Sequence, residues 1–397
     1  MKRSTFNPKA GLAVALLGLS AFITASAATI HVNSGDSIQA AVDAAVSGDT
    51  INIGAGVYEQ QILVSRKDLN LVGEPGAILK APAAMIRTLP VTSRRAILGI
   101  VLCEANVTGL AFDSNHSGQV NARLTGIFHL NSSGTVSDCS FQGFRGVVRT
   151  PIFEAAYIAA NLVAVSEQPD LTHVEVLDNS FSDNEGSIVM IGDDANQLVA
   201  TALRQTFLVE GNTITGSGPG AGVFEFGIRV TVGASGAIQH NTVTDFLSVA
   251  PNPVLGPVGS AGILIFDTGG VGNPPSRPNG PVTAQPVLIE GNTQLNNAGG
   301  VDMFRADGSR AVNNVIECAG IGSFSNEGGI SLSGNNLGAI NNRISNSPVG
   351  INLLANPTLG VASDAKVIAN RISGAAKPIN EQAGVTSTKQ HSNKISP

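Results

Sequence analysis

Several short apolar runs in the middle of the chain contain a charged residue or are followed by one. These charged residues are arginines and aspartates, and their side chains determine which reactions the region could support. Arg229 lies inside the run 227–231, and Asp302 lies inside the run 300–304. Further charged residues stand where such runs end: Asp193, Asp194, Asp267 and Arg305. Guanidinium groups neutralise anionic substrates, whereas carboxylates transfer protons or hold hard cations such as Ca²⁺. These residue types therefore suit chemistry on an anionic substrate, provided that the fold brings them together.

The runs that carry these residues recur and share one pattern, a glycine followed by alternating apolar residues. They occupy residues 126–130, 186–191, 227–231, 262–266, 300–304, 329–333 and 350–354. A period of two predicts β-strands. If the strands stack as one sheet, alternate residues form an outward column that we expect to face solvent: Phe128, Val189, Arg229, Leu264, Asp302, Ser331 and Asn352. Arg229 and Asp302 are then two coils apart, or about 10 Å by the strand spacing.

A second pattern, an asparagine between apolar residues, alternates with these runs. It recurs at Asn179, Asn212, Asn241, Asn292, Asn314, Asn342 and Asn370, with Cys139 in the equivalent place upstream. A short, variable period predicts a solenoid whose coils carry loops, and with short strands it predicts an all-β parallel β-helix. A buried amide column satisfies its donors and acceptors through the amides above and below it. We therefore expect a structural role for these asparagines.

The two ends of the solenoid differ from its middle. Residues 37–46 are rich in alanine, begin with a capping Ser37 and predict a short helix that covers the first coil. Residues 382–397 are polar and are expected to form a C-terminal tail, which leaves 28–381 as a single domain.

The first 27 residues have the features of an export signal. Lys2, Arg3 and Lys9 precede the apolar stretch 11–23, and small residues at 25–27 predict cleavage after Ala27. No later segment offers about 20 consecutive apolar residues, so we expect no membrane span after cleavage. The predicted location is the periplasm or the medium, where a bridge between Cys103 and Cys139 is one open possibility.

Composition narrows the function classes further. The chain is 43% hydrophobic, which excludes disorder, and its net charge of −6 argues against a general nucleic-acid binder. Only 4% of the residues are aromatic and none is Trp, so the core must consist of small and β-branched side chains. We expect a monomer.

Several segments together resemble right-handed β-helix proteins of the pectate-lyase-like superfamily. Residues 29–33, 48–53 and 56–58 are similar to the opening of those proteins, and the coil repeats extend the resemblance over nearly the whole chain after residue 27. The resemblance implies a right-handed parallel β-helix with an N-terminal capping helix.

A narrower likeness concerns activity. Residues 179–194 and 203–207 resemble a segment of polysaccharide lyases, and Arg229 falls where those enzymes carry a proton-abstracting arginine. Asn184 and Glu185 stand where that family has a histidine and a nearby lysine. The resemblance implies an enzyme that acts on acidic polysaccharides, with Arg229 as its base.

Long segments flank the strands of the outward column. Residues 151–172, 193–206 and 267–286 follow these strands, while 216–225 and 248–261 precede them, which predicts a groove on one sheet face. An acidic, uronate-containing polysaccharide or another glycan is the predicted partner. We assign catalysis to Arg229 and Asp302, substrate binding to Arg305, Phe266 and Phe304, and Ca²⁺ binding to Asp193, Asp194 and Asp267.

Two alternatives stay open from the sequence. Asp302 together with Asp267 or Asp194 could hydrolyse a glycosidic bond without a metal, since two carboxylates suffice for that reaction. The other is a non-catalytic binding or structural module, which the scarcity of Tyr and Trp favours because sugar platforms usually include aromatic faces.

Overall fold

Three long parallel sheets organise the protein. The computed structural model describes residues 26–85, 94–115, 124–145, 155–160, 171–192, 204–218, 225–231, 233–247, 260–266, 286–320, 328–356 and 360–397. Between the two ends of the solenoid, each coil contributes one strand to sheet 1, then one to sheet 2, then one to sheet 3, before the chain returns to sheet 1 one level further along. The fold is the predicted right-handed parallel β-helix.

The strands of each sheet follow in their order along the solenoid axis. Sheet 1 contains Thr29–Val32, Thr50–Ile53, Leu69–Gly73, Ala105–Thr108, Gly134–Ser137, Leu171–Leu177, Arg204–Glu210, Ser235–Gln239, Val287–Glu290, Arg310–Val312, Gly338–Ile340, Lys366–Ile368 and Lys389–His391. Sheet 2 contains Gly56–Glu59, Ala77–Lys80, Ala111–Asp113, Ser140–Gln142, Ser180–Ser182, Thr213–Thr215, Thr242–Thr244, Thr293–Asn297, Val315–Cys318, Arg343–Ser345, Arg371–Ser373 and Lys394–Ser396. Sheet 3 contains Ile62–Ser65, Arg95–Val101, Leu124–Leu130, Ala155–Ala160, Gly186–Ile191, Phe226–Thr231, Ala261–Phe266, Gly299–Phe304, Ile330–Ser333, Val349–Leu353 and Lys377–Glu381. A short antiparallel pair, Ala355–Asn356 with Gly360–Val361, projects beside sheet 3.

The interior is a continuous apolar column because equivalent residues of successive coils lie directly above one another. Phe112, Phe141 and Phe181 share one register position in sheet 2. Their rings stack nearly parallel, with centroids 4.9 and 4.7 Å apart. This separation equals the rise between coils, so one side-chain type repeated at one position fills the core without gaps.

The asparagines form the predicted ladder in the turn between sheets 1 and 2. Asn241 accepts hydrogen bonds from the backbone N–H and the amide of Asn212, and its own amide donates to Asn292 Oδ1 at 2.9 Å. The residue before each asparagine has positive φ, for example 53° at His240 and 58° at Asn313. Glycine, asparagine and aspartate tolerate that conformation best, which accounts for the Gly-Asn, Asn-Asn and Asp-Asn pairs in the sequence.

A helix at Ile38–Ala44 covers the N-terminal edge of the solenoid, inside the predicted range 37–46. Ser37 caps it, since its hydroxyl accepts the N–H of Ala40 at 3.1 Å. Gln39 on this helix bonds both backbone groups of Leu63 in the first strand of sheet 3, with Leu63 N–H donating to Gln39 Oε1 at 2.7 Å. The helix therefore satisfies backbone groups of an edge strand that would otherwise pair with another chain.

The C-terminal segment differs from the prediction. Residues 382–397 were expected to be a polar tail, but Lys389–His391 and Lys394–Ser396 are strands of a further coil. Asn393 continues the ladder by accepting the backbone N–H of Asn370 at 3.0 Å. Hydrogen bonds to the coil below order this segment even though its side chains are exposed and polar.

The predicted signal segment falls mostly on residues 1–25, outside the described ranges. Within the described ranges, no helix is long and apolar enough to cross a membrane.

Candidate functional site

The outer face of sheet 3, the side turned away from the coil interior, carries the predicted site. The register pairs Val189 with Arg229, Arg229 with Leu264, and Leu264 with Asp302. Arg229 and Asp302 are thus on the same side of the molecule and two coils apart, about 10 Å between their backbones. The predicted vertical alignment of these residues is confirmed.

The expected exposure of this column is wrong. Phe128, Val189 and Leu264 are at most 2% exposed, and Asp302 is fully buried. Together with neighbouring outward residues the apolar members form a second apolar cluster, separate from the coil interior: Ala96, Val101, Phe128, Leu130, Ala155, Ile158, Ala160, Val189, Phe226, Leu264, Phe304 and Leu354. The alternation along a strand distinguishes its two sides, but it does not show whether other parts of the chain cover the second side.

Arg229 is partly buried at the centre of this face. Its guanidinium carbon lies 5.7 Å from the centroid of the Phe226 ring, in the same strand. Desolvation lowers the pKa of Arg229 to about 10, because a buried environment disfavours the charged form. The residue remains a cation at neutral pH, but it releases a proton more readily than an exposed arginine does.

A second guanidinium lies two coils further along. The guanidinium carbon of Arg305 is 4.9 Å from the ring centroid of Phe266, and both residues are partly exposed. Phe304 is fully buried beneath them. The short hairpin approaches this pair, since a Cβ at Gly360 would lie 3.0 Å from Arg305 Cγ. Phe266 and Arg305 can therefore contact a ligand directly, whereas Phe304 supports them.

The carboxylates predicted to bind Ca²⁺ are Asp193, Asp194 and Asp267, and all three lie outside the described residues. In the described ranges, no group of three or more His, Cys, Asp or Glu side chains could hold a metal ion.

Two glutamates at the edge of the outer face were not assigned from the sequence. Glu185 and Glu225 immediately precede the paired strands Gly186–Ile191 and Phe226–Thr231, and Phe226 N–H donates to Glu185 O at 3.1 Å. They are 7% and 0% exposed. The sequence shows that each glutamate stands directly before a strand of the same sheet. It does not show that the two glutamates are neighbours, because loops of variable length obscure the register between these strands.

Other titratable groups inside the coils are structural. His129 is buried, with Nδ1 3.0 Å from the hydroxyl of Tyr157, and burial lowers the pKa of His129 to about 4. Cys103 and Cys139 are free thiols and not a disulfide, and burial raises the pKa of both. Neither cysteine is activated for nucleophilic chemistry, because the thiolate is the reactive form.

Comparisons with known proteins identify the fold. No family model and no curated protein sequence matches the chain. Among solved structures, the Dettilon tailspike protein matches with a TM-score of 0.57 at 12% identity, covering 92% of this chain and 68% of that one. The alginate lyase AlyF-OU02, solved in complex with G6, matches with a TM-score of 0.51 at 14% identity, covering 92% and 85%. The chain is similar to both in fold, that of the right-handed parallel β-helix.

Proposed function

We propose that this protein is exported and cleaves, or otherwise modifies, an acidic uronate-containing polysaccharide on the outer face of sheet 3. The observation that carries the proposal is Arg229, a desolvated arginine at the centre of a face that also presents Arg305 and Phe266. The fold is shared with an alginate lyase, which supports the same substrate class.

Arg229 suits the role of base in a β-elimination. The reaction removes the C5 proton of a uronate, forms a C4–C5 double bond and expels the C4 oxygen, which takes up a proton. The base must be neutral guanidine, and the lowered pKa of Arg229 increases the neutral fraction near neutral pH. The arginine thus combines attraction for an anionic substrate with a raised capacity to accept a proton.

Arg305 and Phe266 are proposed to bind the sugar next to the reacting one. A partly exposed guanidinium forms charge-assisted hydrogen bonds with a carboxylate, and the Phe266 ring holds that guanidinium in place through a cation–π contact. Asp302 lies in the same outward row as Arg229 and, although it is fully buried, is proposed to take part in proton transfer to the leaving oxygen.

We propose that Asp193, Asp194 and Asp267 would hold Ca²⁺, which when bound would neutralise the charge of the uronate carboxylate. Comparing activity after chelation by EGTA with activity after Ca²⁺ is restored tests this role.

Export is supported by the surroundings of the proposed cleavage site. The backbone nitrogen of Ala28 donates to Asp49 Oδ1 at 2.8 Å, and Asp49 is 4% exposed. Cleavage after Ala27 would convert this nitrogen into an α-ammonium group and this contact into an ion pair. N-terminal sequencing of the exported protein should begin at Ala28, and any other start contradicts the proposed site.

The activity is tested with pectate, alginate and other polyuronates, following unsaturated product by its ultraviolet absorbance. Arg229→Lys should abolish product formation while the circular dichroism spectrum stays unchanged. Arg343→Lys, an exposed position in sheet 2, serves as the matched control and should retain the wild-type rate. An active enzyme whose rate survives Arg229→Lys would overturn the assignment of the base.

A non-catalytic glycan-binding module is the second candidate, supported by the burial of most of the outer face. In that case calorimetry detects binding of a polyuronate without any product, and Arg305→Ala weakens it. The carboxylate-pair hydrolase, with Asp302 and either Asp267 or Asp194, predicts new reducing ends without ultraviolet absorbance.

A further inference from the structure

The corner through which the chain enters sheet 3 contains two buried glutamates, one in each of two adjacent coils. Glu185 and Glu225 occupy equivalent places in adjacent coils, so their backbones lie about 4.8 Å apart. Both side chains are buried, and within the described part of the chain Ser217 approaches the Glu225 carboxylate as a donor without good hydrogen-bond geometry. The charge of Glu185 disfavours the ionised form of Glu225, and such repulsion is stronger where water is excluded.

The groups around Glu225 offset its charge only in part. Arg145, from the coil before Glu185, is the nearby cation, but its Nη1 lies 3.1 Å from Asp183 Oδ1 and is committed to that carboxylate. From the following coil, Ser260 Oγ accepts the backbone N–H of Glu225 at 2.9 Å and so engages the main chain instead of the carboxylate. The carboxylate of Asp245, also in the following coil, accepts the amide of Asn296 at 2.7 Å.

The electrostatics of the corner follow from this arrangement. Burial, with a smaller contribution from the charge of Glu185, raises the pKa of Glu225 to about 7, although nearby Ser217 and Arg145 act in the opposite direction. A carboxyl group with this pKa is protonated in a mildly acidic medium and ionised in a mildly alkaline one. Such a group therefore changes its charge close to neutral pH.

We propose that Glu185 and Glu225 form a pH-sensitive switch that holds one proton between them and keeps this corner closed until that proton is lost. Loss of the proton leaves two buried negative charges, which loosen the turn and the strand Phe226–Thr231 that follows Glu225. Arg229 is part of that strand, so the switch controls how firmly the strands of the outer face are held in place. This inference stands independently of any reaction carried out there.

The sign of the pH dependence is set by the direction of the pKa shift. The folded protein binds the proton more tightly than the unfolded chain, in which the glutamate has its ordinary pKa of 4.5. The stabilisation is therefore complete below about pH 4.5 and is lost as pH rises through about 7.

The experiment measures melting temperature between pH 5 and pH 9 for the wild type, Glu225→Gln and a control. The wild type should lose thermal stability through about pH 7, whereas Glu225→Gln should remove that loss because glutamine cannot ionise. Glu317→Gln is the control, since Glu317 is an exposed glutamate that accepts a hydrogen bond from Asn346 at 3.1 Å. Its profile should match that of the wild type.

A second measurement needs no variant and covers the case in which Glu225→Gln does not fold. Hydrogen exchange of the wild type, corrected for the intrinsic effect of pH, should show lower protection of residues 211–218 and 225–231 at pH 8 than at pH 6. Residues 362–373, which lie several coils away, should keep their protection. Equal protection of residues 211–218 and 225–231 at both pH values, or a wild-type melting profile without a fall through pH 7, would overturn the switch.

Discussion

The asparagine ladder offers the most direct test of how this fold is held together. Asn241 Nδ2 donates to Val209 O, to Gln239 O and to Asn292 Oδ1, all at 2.9 Å. Its Oδ1 accepts both the backbone N–H and the amide of Asn212. Asn241→Ala removes all of these contacts and leaves the buried N–H of Asn212 without an acceptor.

The size of the effect follows from that loss. Each buried polar group left without a partner costs about 1–3 kcal/mol, and at least two such groups result. We therefore expect Asn241→Ala to lower the free energy of unfolding by about 3–5 kcal/mol. Asn33→Ala is the matched control, because the exposed amide of Asn33 makes one side-chain hydrogen bond, to Asp36 Oδ2 at 3.3 Å, and its loss should cost less than about 1 kcal/mol.

Urea unfolding followed by far-ultraviolet circular dichroism measures both variants, and the unfolding slope checks that the transition stays cooperative. If Asn241→Ala and Asn33→Ala differ by less than about 0.5 kcal/mol, which is within the scatter of ordinary surface substitutions, the ladder does not stabilise the fold and the reasoning fails.

Two further predictions concern polar side chains inside the coils. Neither amide atom of Gln294 has a hydrogen-bond partner in the described structure, although the residue is fully buried between Val243 and Ile316, so Gln294→Met should raise the free energy of unfolding by about 1–3 kcal/mol in urea titrations. The lowered pKa of His129, about 4 in place of 6.5, means that the unfolded chain binds a proton that the folded protein excludes. Stability should therefore fall by about 3 kcal/mol as pH drops from 6.5 to 4, and His129→Gln should reduce that fall in melting experiments; an unchanged profile would contradict the assignment.

The fold could be predicted because its structural repeat appears in the sequence as recurring residue patterns. The asparagine pattern marks one turn of each coil, the positive φ of the preceding residue explains the small or polar side chain there, and the Gly-led runs mark the strands of sheet 3. The register of Arg229 with Leu264 and Asp302 followed from the same repeat. The C-terminal coil was missed because its polar side chains carry no apolar periodicity, although Asn393 continues the ladder.

The site was only partly predictable. The sequence supplies the outward column, the two arginines and the resemblance to acidic-polysaccharide lyases, because these depend on residue types and on the period of the repeat. It could not reveal that Asp302 and most of that column are buried, that Arg305 packs on Phe266, or that Glu185 and Glu225 occupy equivalent places in adjacent coils.

The repeat alone determined which residues lie above one another, since every coil climbs by the same strand spacing. Only the tertiary structure decided which of those columns are exposed to solvent and which charged side chains are desolvated. Burial depends on how non-repeating parts of the chain pack against the coils, and the loss of water is what lowers the pKa of Arg229 and raises that of Glu225.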